Sequence, residues 1–141
     1  MKIIIDVNVL LSALIKESTT REIIVKSELD FYFPEPSLQK IRKYQGLILE
    51  KTGFSELEFL TILHTLFQFV RLIPREQILM NWNEAKSIME AIDPEDVTFI
   101  AAALHSEDAI LWSDDKHFDR QERIFTLKTH EVVALLFFQK N

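Results

Sequence analysis

The chain has 141 residues, 48% hydrophobic and 27% charged, which is typical of one folded domain covering residues 1–141. It has no cysteine, which excludes disulfides, thiolate metal sites and cysteine nucleophiles, and its formal charge of −6 argues against loose, charge-driven binding to nucleic acid. Its two glycines, Gly46 and Gly53, cannot form a phosphate-binding loop or a dinucleotide fingerprint.

The N-terminal segment begins with the first predicted strand. Residues 2–5, "KIII", are β-branched and apolar, as in a strand that is buried on both faces. Asp6 and Asn8 then interrupt the apolar run, and neither a signal-peptide cleavage site nor a membrane span of about 20 apolar residues is recognisable. We therefore expect a cytoplasmic protein without a membrane segment.

Helical and strand patterns alternate along the rest of the chain. Four further strands are predicted, at residues 30–34, 69–73, 109–113 and 123–127. Helices are predicted within residues 7–15, 19–29, 36–52, 55–68, 75–92 with a break near 81–83, 93–107 and 129–139. This alternation predicts an α/β fold, a three-layer α/β/α sandwich around a mostly parallel sheet of about five strands.

Several helix starts carry capping residues. Thr19 or Thr20 is the expected cap of the second helix, and Ser55 that of the helix over residues 55–68. The clearest start is "DPEDV", where Asp93 is the expected N-cap and Pro94 takes the first helical position, at which its missing N–H costs nothing.

Acidic residues gather where two of the predicted strands end. Asp6 follows the first strand, and Asp114 and Asp115 follow the fourth. Asp93 and Asp96 lie at the start of the helix that precedes the fourth strand. The functional residues of an open parallel sheet lie outside the carboxyl ends of its strands. If the first and fourth strands are neighbours, Asp6, Asp96 and Asp115 can therefore converge.

Converging carboxylates repel one another unless a cation lies between them. Mg²⁺ and Mn²⁺ prefer oxygen ligands, and such a site supports phosphodiester hydrolysis. Each acid also has a purely structural explanation: Asp6 and Asp96 as helix-capping acids, Asp114 and Asp115 as loop acids.

Other polar residues beside these acids are candidates for supporting roles. Asn8 could orient a ligand or cap a helix, and Ser113 could hold the site by a hydrogen bond or merely end its strand. Asp93 and Asp114 are further supporting candidates. His117 is expected at the surface rather than as a ligand.

Three segments, "IIDVNVLLSALI", "DPEDVTFIAAAL" and "LWSDDKHF", together resemble the PIN domain, and their order covers essentially the whole chain. The resemblance implies a Mg²⁺- or Mn²⁺-dependent endoribonuclease. Many such enzymes are toxins that a small antitoxin protein silences. By position, Asp6, Asp96 and Asp115 match the catalytic, metal-binding acids, and Ser113 matches the hydroxyl residue before the last acid.

One position departs from that pattern. The family usually has a glutamate in the helix after the second strand, and Lys40 stands there in this chain. A lysine among carboxylates would modulate the site by competing with cation binding. This leaves two alternatives: a degenerate, catalytically weak PIN domain that binds RNA or protein, or an active enzyme whose Lys40 points away or contacts RNA phosphate.

Two kinds of surface are predicted to bind partners. Residues 54–70 and the final helix carry apolar residues on more than one face, which predicts a homodimer or a partner groove; core packing is the alternative. Lys116, Arg42 and Lys43 are candidate RNA contacts, unless they belong to ordinary solvated faces.

Overall fold

The structure is a computed structural model that describes residues 1–15 and 18–140. The strands are β1 (Lys2–Ile5), β2 (Asp30–Pro34), β3 (Val70–Ile73), β4 (Ala109–Trp112) and β5 (Thr126–Leu127). The α-helices of these ranges are α1 (Val7–Ser12), α2 (Thr19–Lys26), α3 (Leu38–Thr52), α4 (Glu56–Leu66), α5 (Arg75–Met80), α6 (Trp82–Met89), α7 (Val97–Ala103) and α8 (Thr129–Lys140). None of them combines the length and apolar character needed to cross a lipid bilayer.

The five strands form one sheet in the order β3-β2-β1-β4-β5. Every pair is parallel, so the sheet is wholly rather than mostly parallel. β1 lies at the centre, and its last residue, Ile5, is opposite Trp112, the last residue of β4. The first and fourth strands are therefore neighbours that end at the same level.

The order of the strands places the helices on two faces of the sheet. The chain steps outwards from β1 to β2 and β3, then returns across the sheet to β4. Because parallel crossovers are right-handed, this reversal places α1–α4 and α5–α7 on opposite faces. α7 packs against β1, β2 and β4, and the predicted three-layer α/β fold is confirmed. The strand order reverses between β1 and β4, which is where open α/β sheets bind ligands.

The first turn of α2 differs from the sequence expectation. Its N-cap is Ser18, whose Oγ accepts a hydrogen bond of 3.1 Å from the backbone N–H of Arg21. Thr19 and Thr20 already lie inside the helix, so neither is the cap. The predicted caps Ser55 and Asp93 are confirmed.

β5 is shorter than predicted because a glutamine holds the preceding residues in a turn. The Gln121 side chain donates hydrogen bonds to the carbonyl oxygens of Phe118 and Ile124, at 3.0 and 2.8 Å. Its Oε1 also accepts a bond of 2.8 Å from the N–H of Ile124. These bonds take the place of ladder bonds, and β5 begins only at Thr126.

Candidate metal centre

Asp6 is held rigidly at the end of the central strand. It is 4% exposed, and its Oδ1 accepts a hydrogen bond of 2.7 Å from the N–H of Val7 at the start of α1. Its Oδ2 accepts one of 2.6 Å from the hydroxyl of Ser113. Burial raises the pKa of Asp6, and the Asp115 carboxylate raises it further; those two hydrogen bonds and the Lys40 ammonium lower it. Asp6 is thus both a helix cap and a member of a charged cluster.

Ser113 joins the loops that follow the two central strands. It is fully buried, and its hydroxyl, which donates to Asp6, also accepts a bond of 3.0 Å from the N–H of Asp115. Asp115 in turn begins a 3₁₀ turn, Lys116–Arg120, where its Oδ1 accepts a bond of 2.9 Å from the N–H of His117. One buried hydroxyl therefore fixes the positions of two of the predicted acids.

Asp96 is the buried acid of this cluster that lacks a hydrogen-bond partner on one oxygen. It is 8% exposed, and its Oδ2 is buried without such a partner among the described residues. Burial is the largest cause that raises the pKa of Asp96 to about 7, and nearby carboxylates add to it. Those carboxylates belong to Asp93, Asp6 and Asp115, while the imidazole of His117 acts in the opposite direction. The three predicted acids are therefore brought together.

His117 is the residue of this cluster that the sequence interpretation missed. Its side chain is 45% exposed, as expected of a surface residue, but its Nδ1 is buried and faces the acids. Nδ1 lies 3.0 Å from Asp93 Oδ2, 3.2 Å from Asp115 Oδ1 and 3.5 Å from Asp96 Oδ2, with hydrogen-bond geometry to none. The turn capped by Asp115 directs the ring inwards. A histidine two residues after a strand-end aspartate is the signal that could have revealed it.

Lys40 lies beside the acidic cluster. Its Nζ lies 3.8 Å from Glu95 Oε2 and 5.9 Å from the centre of the Phe99 ring. It is also close enough to Asp6 for its charge to lower the pKa of that carboxyl. The sequence did not indicate Glu95 as its partner. That residue lies in the 3₁₀ turn Pro94–Asp96, which directly precedes α7.

None of the other predicted site residues is hydrogen-bonded to or ion-paired with these acids in the part of the chain that the structure describes. Asp114, expected to support the site, instead caps α8: its two oxygens accept bonds of 2.8 and 2.6 Å from the N–H and hydroxyl of Thr129. Asn8 is exposed, and its side chain makes no hydrogen bond with any described residue. The three basic candidates, Lys116, Arg42 and Lys43, are exposed.

The cluster fits a divalent cation. Oxygen and nitrogen donors of Asp93, Asp96 and His117 all lie within 4.8 Å of one another. Within residues 1–15 and 18–140, two of them, Asp96 Oδ2 and His117 Nδ1, are buried without hydrogen-bond partners, which is unfavourable unless something else satisfies them. A cation between these donors would also offset the repulsion between the carboxylates.

The family model of the PIN domain matches residues 4–132. The chain belongs to the PIN domain family. PIN domains are generally nucleases and typically bind divalent metals, and the matched range contains the whole acidic cluster. No curated protein matches this PIN domain in sequence.

Proposed function

We propose that this PIN domain is a Mg²⁺- or Mn²⁺-dependent endoribonuclease whose catalytic, metal-binding acids are Asp6, Asp96 and Asp115. The observation that carries the proposal is the buried Asp96 carboxylate, with one oxygen unpartnered, beside the acids that end two central strands. A carboxylate whose role is to cap a helix accepts hydrogen bonds from backbone N–H groups. A group with a strongly raised pKa beside charged neighbours in a cleft is typical of a functional site.

The cation and the residues that hold it have separate roles in the proposed reaction. A divalent cation, when bound, supplies polarisation of the phosphoryl oxygens and a water of lowered pKa. Asp6 is preorganised for its part, because Val7 and Ser113 fix its two oxygens. Ser113 also holds the backbone of Asp115, so the relative placement of these acids does not depend on the cation.

Exposed basic residues would bind the phosphate groups of the RNA backbone. Lys116 directly follows Asp115, and Arg42 and Lys43 follow Lys40 on α3. With a net charge of −6 on the chain, such contacts must be local, and RNA affinity should fall with added salt.

The second candidate function is a catalytically weak PIN domain that binds RNA or a protein. Lys40 favours it, because its positively charged ammonium group already lies near Asp6 and 3.8 Å from Glu95 Oε2. A toxin role would add a small antitoxin partner to the first candidate, and a small adjacent reading frame would support that role.

Asp115→Asn is expected to reduce Mn²⁺-dependent cleavage of single-stranded RNA by at least about a hundredfold, because it removes a carboxylate of the site. Cleavage of a labelled RNA on a denaturing gel measures this. Asp114→Asn is the matched control, since that carboxylate caps α8 instead, and it should cleave as the natural protein does. Equal cleavage by Asp115→Asn would contradict the proposed site. A natural protein without cleavage would favour the second candidate.

The chain is also expected to form a homodimer through α4, α8 or both. Exposed apolar side chains on these helices are Leu57 (74%), Leu60 (46%), Val133 (44%), Phe137 (66%) and Phe138 (76%). Exposed apolar patches of this kind mark interaction surfaces. Light scattering at micromolar concentration should give twice the chain mass, and Leu57→Glu or Phe138→Glu should shift it towards one chain. A monomeric natural protein would contradict this expectation.

A further inference from the structure

We infer that His117 Nδ1 and Asp93 join the proposed acids Asp6, Asp96 and Asp115 as metal ligands, in a mixed nitrogen–oxygen site that prefers first-row transition-metal ions to Mg²⁺. The inference rests on the proposed metal-dependent function and names a ligand and a metal class for that site. The matched acids of the family pattern supply only oxygen.

The spacing of the donors supports a shared cation. His117 Nδ1 lies 3.0 Å from Asp93 Oδ2 and 3.5 Å from Asp96 Oδ2. Two ligands at about 2.1 Å from one ion lie roughly 3.0–3.4 Å apart at right-angle to tetrahedral angles. Neither contact has hydrogen-bond geometry, so Asp96 Oδ2 and His117 Nδ1 are both left without a hydrogen-bond partner among the described residues.

The orientation of each ligand is fixed by hydrogen bonds elsewhere. Asp93 Oδ1 accepts a bond of 2.9 Å from the N–H of Glu95, which turns Oδ2 towards the imidazole. The N–H of His117 donates to Asp115 Oδ1, which anchors the histidine's backbone. Ligands oriented in this way by outer contacts bind metal more tightly.

Lys40 gives the imidazole a specific role. Lys40 stands where the family usually has a glutamate, so this chain lacks a carboxylate there and has a positive charge near Asp6 instead. A neutral imidazole restores a donor without adding to the repulsion among the carboxylates. Because imidazole nitrogen suits transition metals and Mg²⁺ prefers oxygen, the exchange of ligands changes the preferred ion.

The test is pulsed electron paramagnetic resonance of bound Mn²⁺, on protein without an affinity tag and in buffer without imidazole. The natural protein should show strong coupling of one ¹⁴N nucleus to the bound ion. His117→Gln should lose that coupling, while His130→Gln, an exposed histidine of α8, should keep it. Competition titration should also show about tenfold or greater preference for Mn²⁺ over Mg²⁺, with Zn²⁺ tighter still, and the preference should shrink in His117→Gln.

The measurement separates this inference from the proposed function. Bound Mn²⁺ without nitrogen coupling in the natural protein would overturn the histidine ligand and leave an all-oxygen metal centre standing. Failure of the natural protein to bind Mn²⁺ would overturn both. Each of these outcomes is measured on the natural protein, so a variant that fails to fold does not prevent the test.

Discussion

Replacing Lys40 by glutamate is expected to tighten Mn²⁺ binding by at least tenfold. The substitution removes a positive charge near Asp6 and supplies a carboxylate, a change of two charge units close to the ion. A unit charge at several ångströms contributes on the order of a few kcal/mol at an effective dielectric constant of about 20, before screening. Since about 1.4 kcal/mol corresponds to a factor of ten, a fraction of this suffices.

Titration calorimetry on both proteins measures the change in affinity, and an RNA gel measures the accompanying gain in cleavage. Lys43→Glu is the matched control. It makes the same change in net charge three residues further along α3, where Lys43 is exposed and its Nζ lies 5.7 Å from the centre of the Tyr44 ring. Lys40→Gln, which only removes the charge, should fall between the natural protein and Lys40→Glu.

Equal metal affinity in the natural protein and Lys40→Glu would mean that Lys40 does not modulate the site. Equal gains from Lys40→Glu and Lys43→Glu would show an effect of overall charge rather than of the cleft. Tighter metal binding without cleavage would assign the weak catalysis to something other than cation competition.

Asp96→Asn is expected to stabilise the metal-free protein at pH 8. Burial and the surrounding carboxylates raise the pKa of Asp96 from 3.8 to about 7, so its charged form is unfavourable in the folded state. Between these pH values the folded protein binds more protons than the unfolded chain. The natural protein should therefore lose stability as pH rises from about 4 to about 7, and level off above it.

The full shift corresponds to at most on the order of 4 kcal/mol, at about 1.4 kcal/mol for each pH unit. Asparagine keeps the shape of the side chain without the charge, so the gain should be a few kcal/mol at pH 8 and vanish near pH 4. Urea unfolding in a chelator, at pH 4.5 and pH 8, measures the difference in the free energy of unfolding.

Asp114→Asn should be no more stable than the natural protein, because the substitution weakens the hydrogen bonds that cap α8. With saturating Mn²⁺ at pH 8, the natural protein should be more stable than Asp96→Asn, because Mn²⁺ stabilises only a protein that binds it. A destabilised Asp96→Asn variant at pH 8 in chelator would mean that hydrogen bonding by this side chain outweighs the repulsion.

Local sequence determined most of the elements of this protein. The apolar, β-branched residues 3–5 favour a buried strand, and they are the buried part of the central strand. Asp93 and Pro94 mark a helix start because capping and proline geometry act within one turn. Gly53 ends α3 in the left-handed region, with φ of 73°, which glycine adopts without steric cost. These preferences involve neighbours along the chain and can be recognised without the fold.

Tertiary structure decided which polar groups meet. Asp114 and Asp115 are adjacent in sequence, yet one caps α8 and the other joins the cluster, because consecutive side chains in an extended segment point in opposite directions. His117 enters the site because a 3₁₀ turn follows Asp115. The contact of Lys40 with Glu95 depends on how α3 lies beside the start of α7. Such contacts join residues far apart in sequence. They depend on how the sheet and its helices pack, and a local sequence pattern cannot predict that packing.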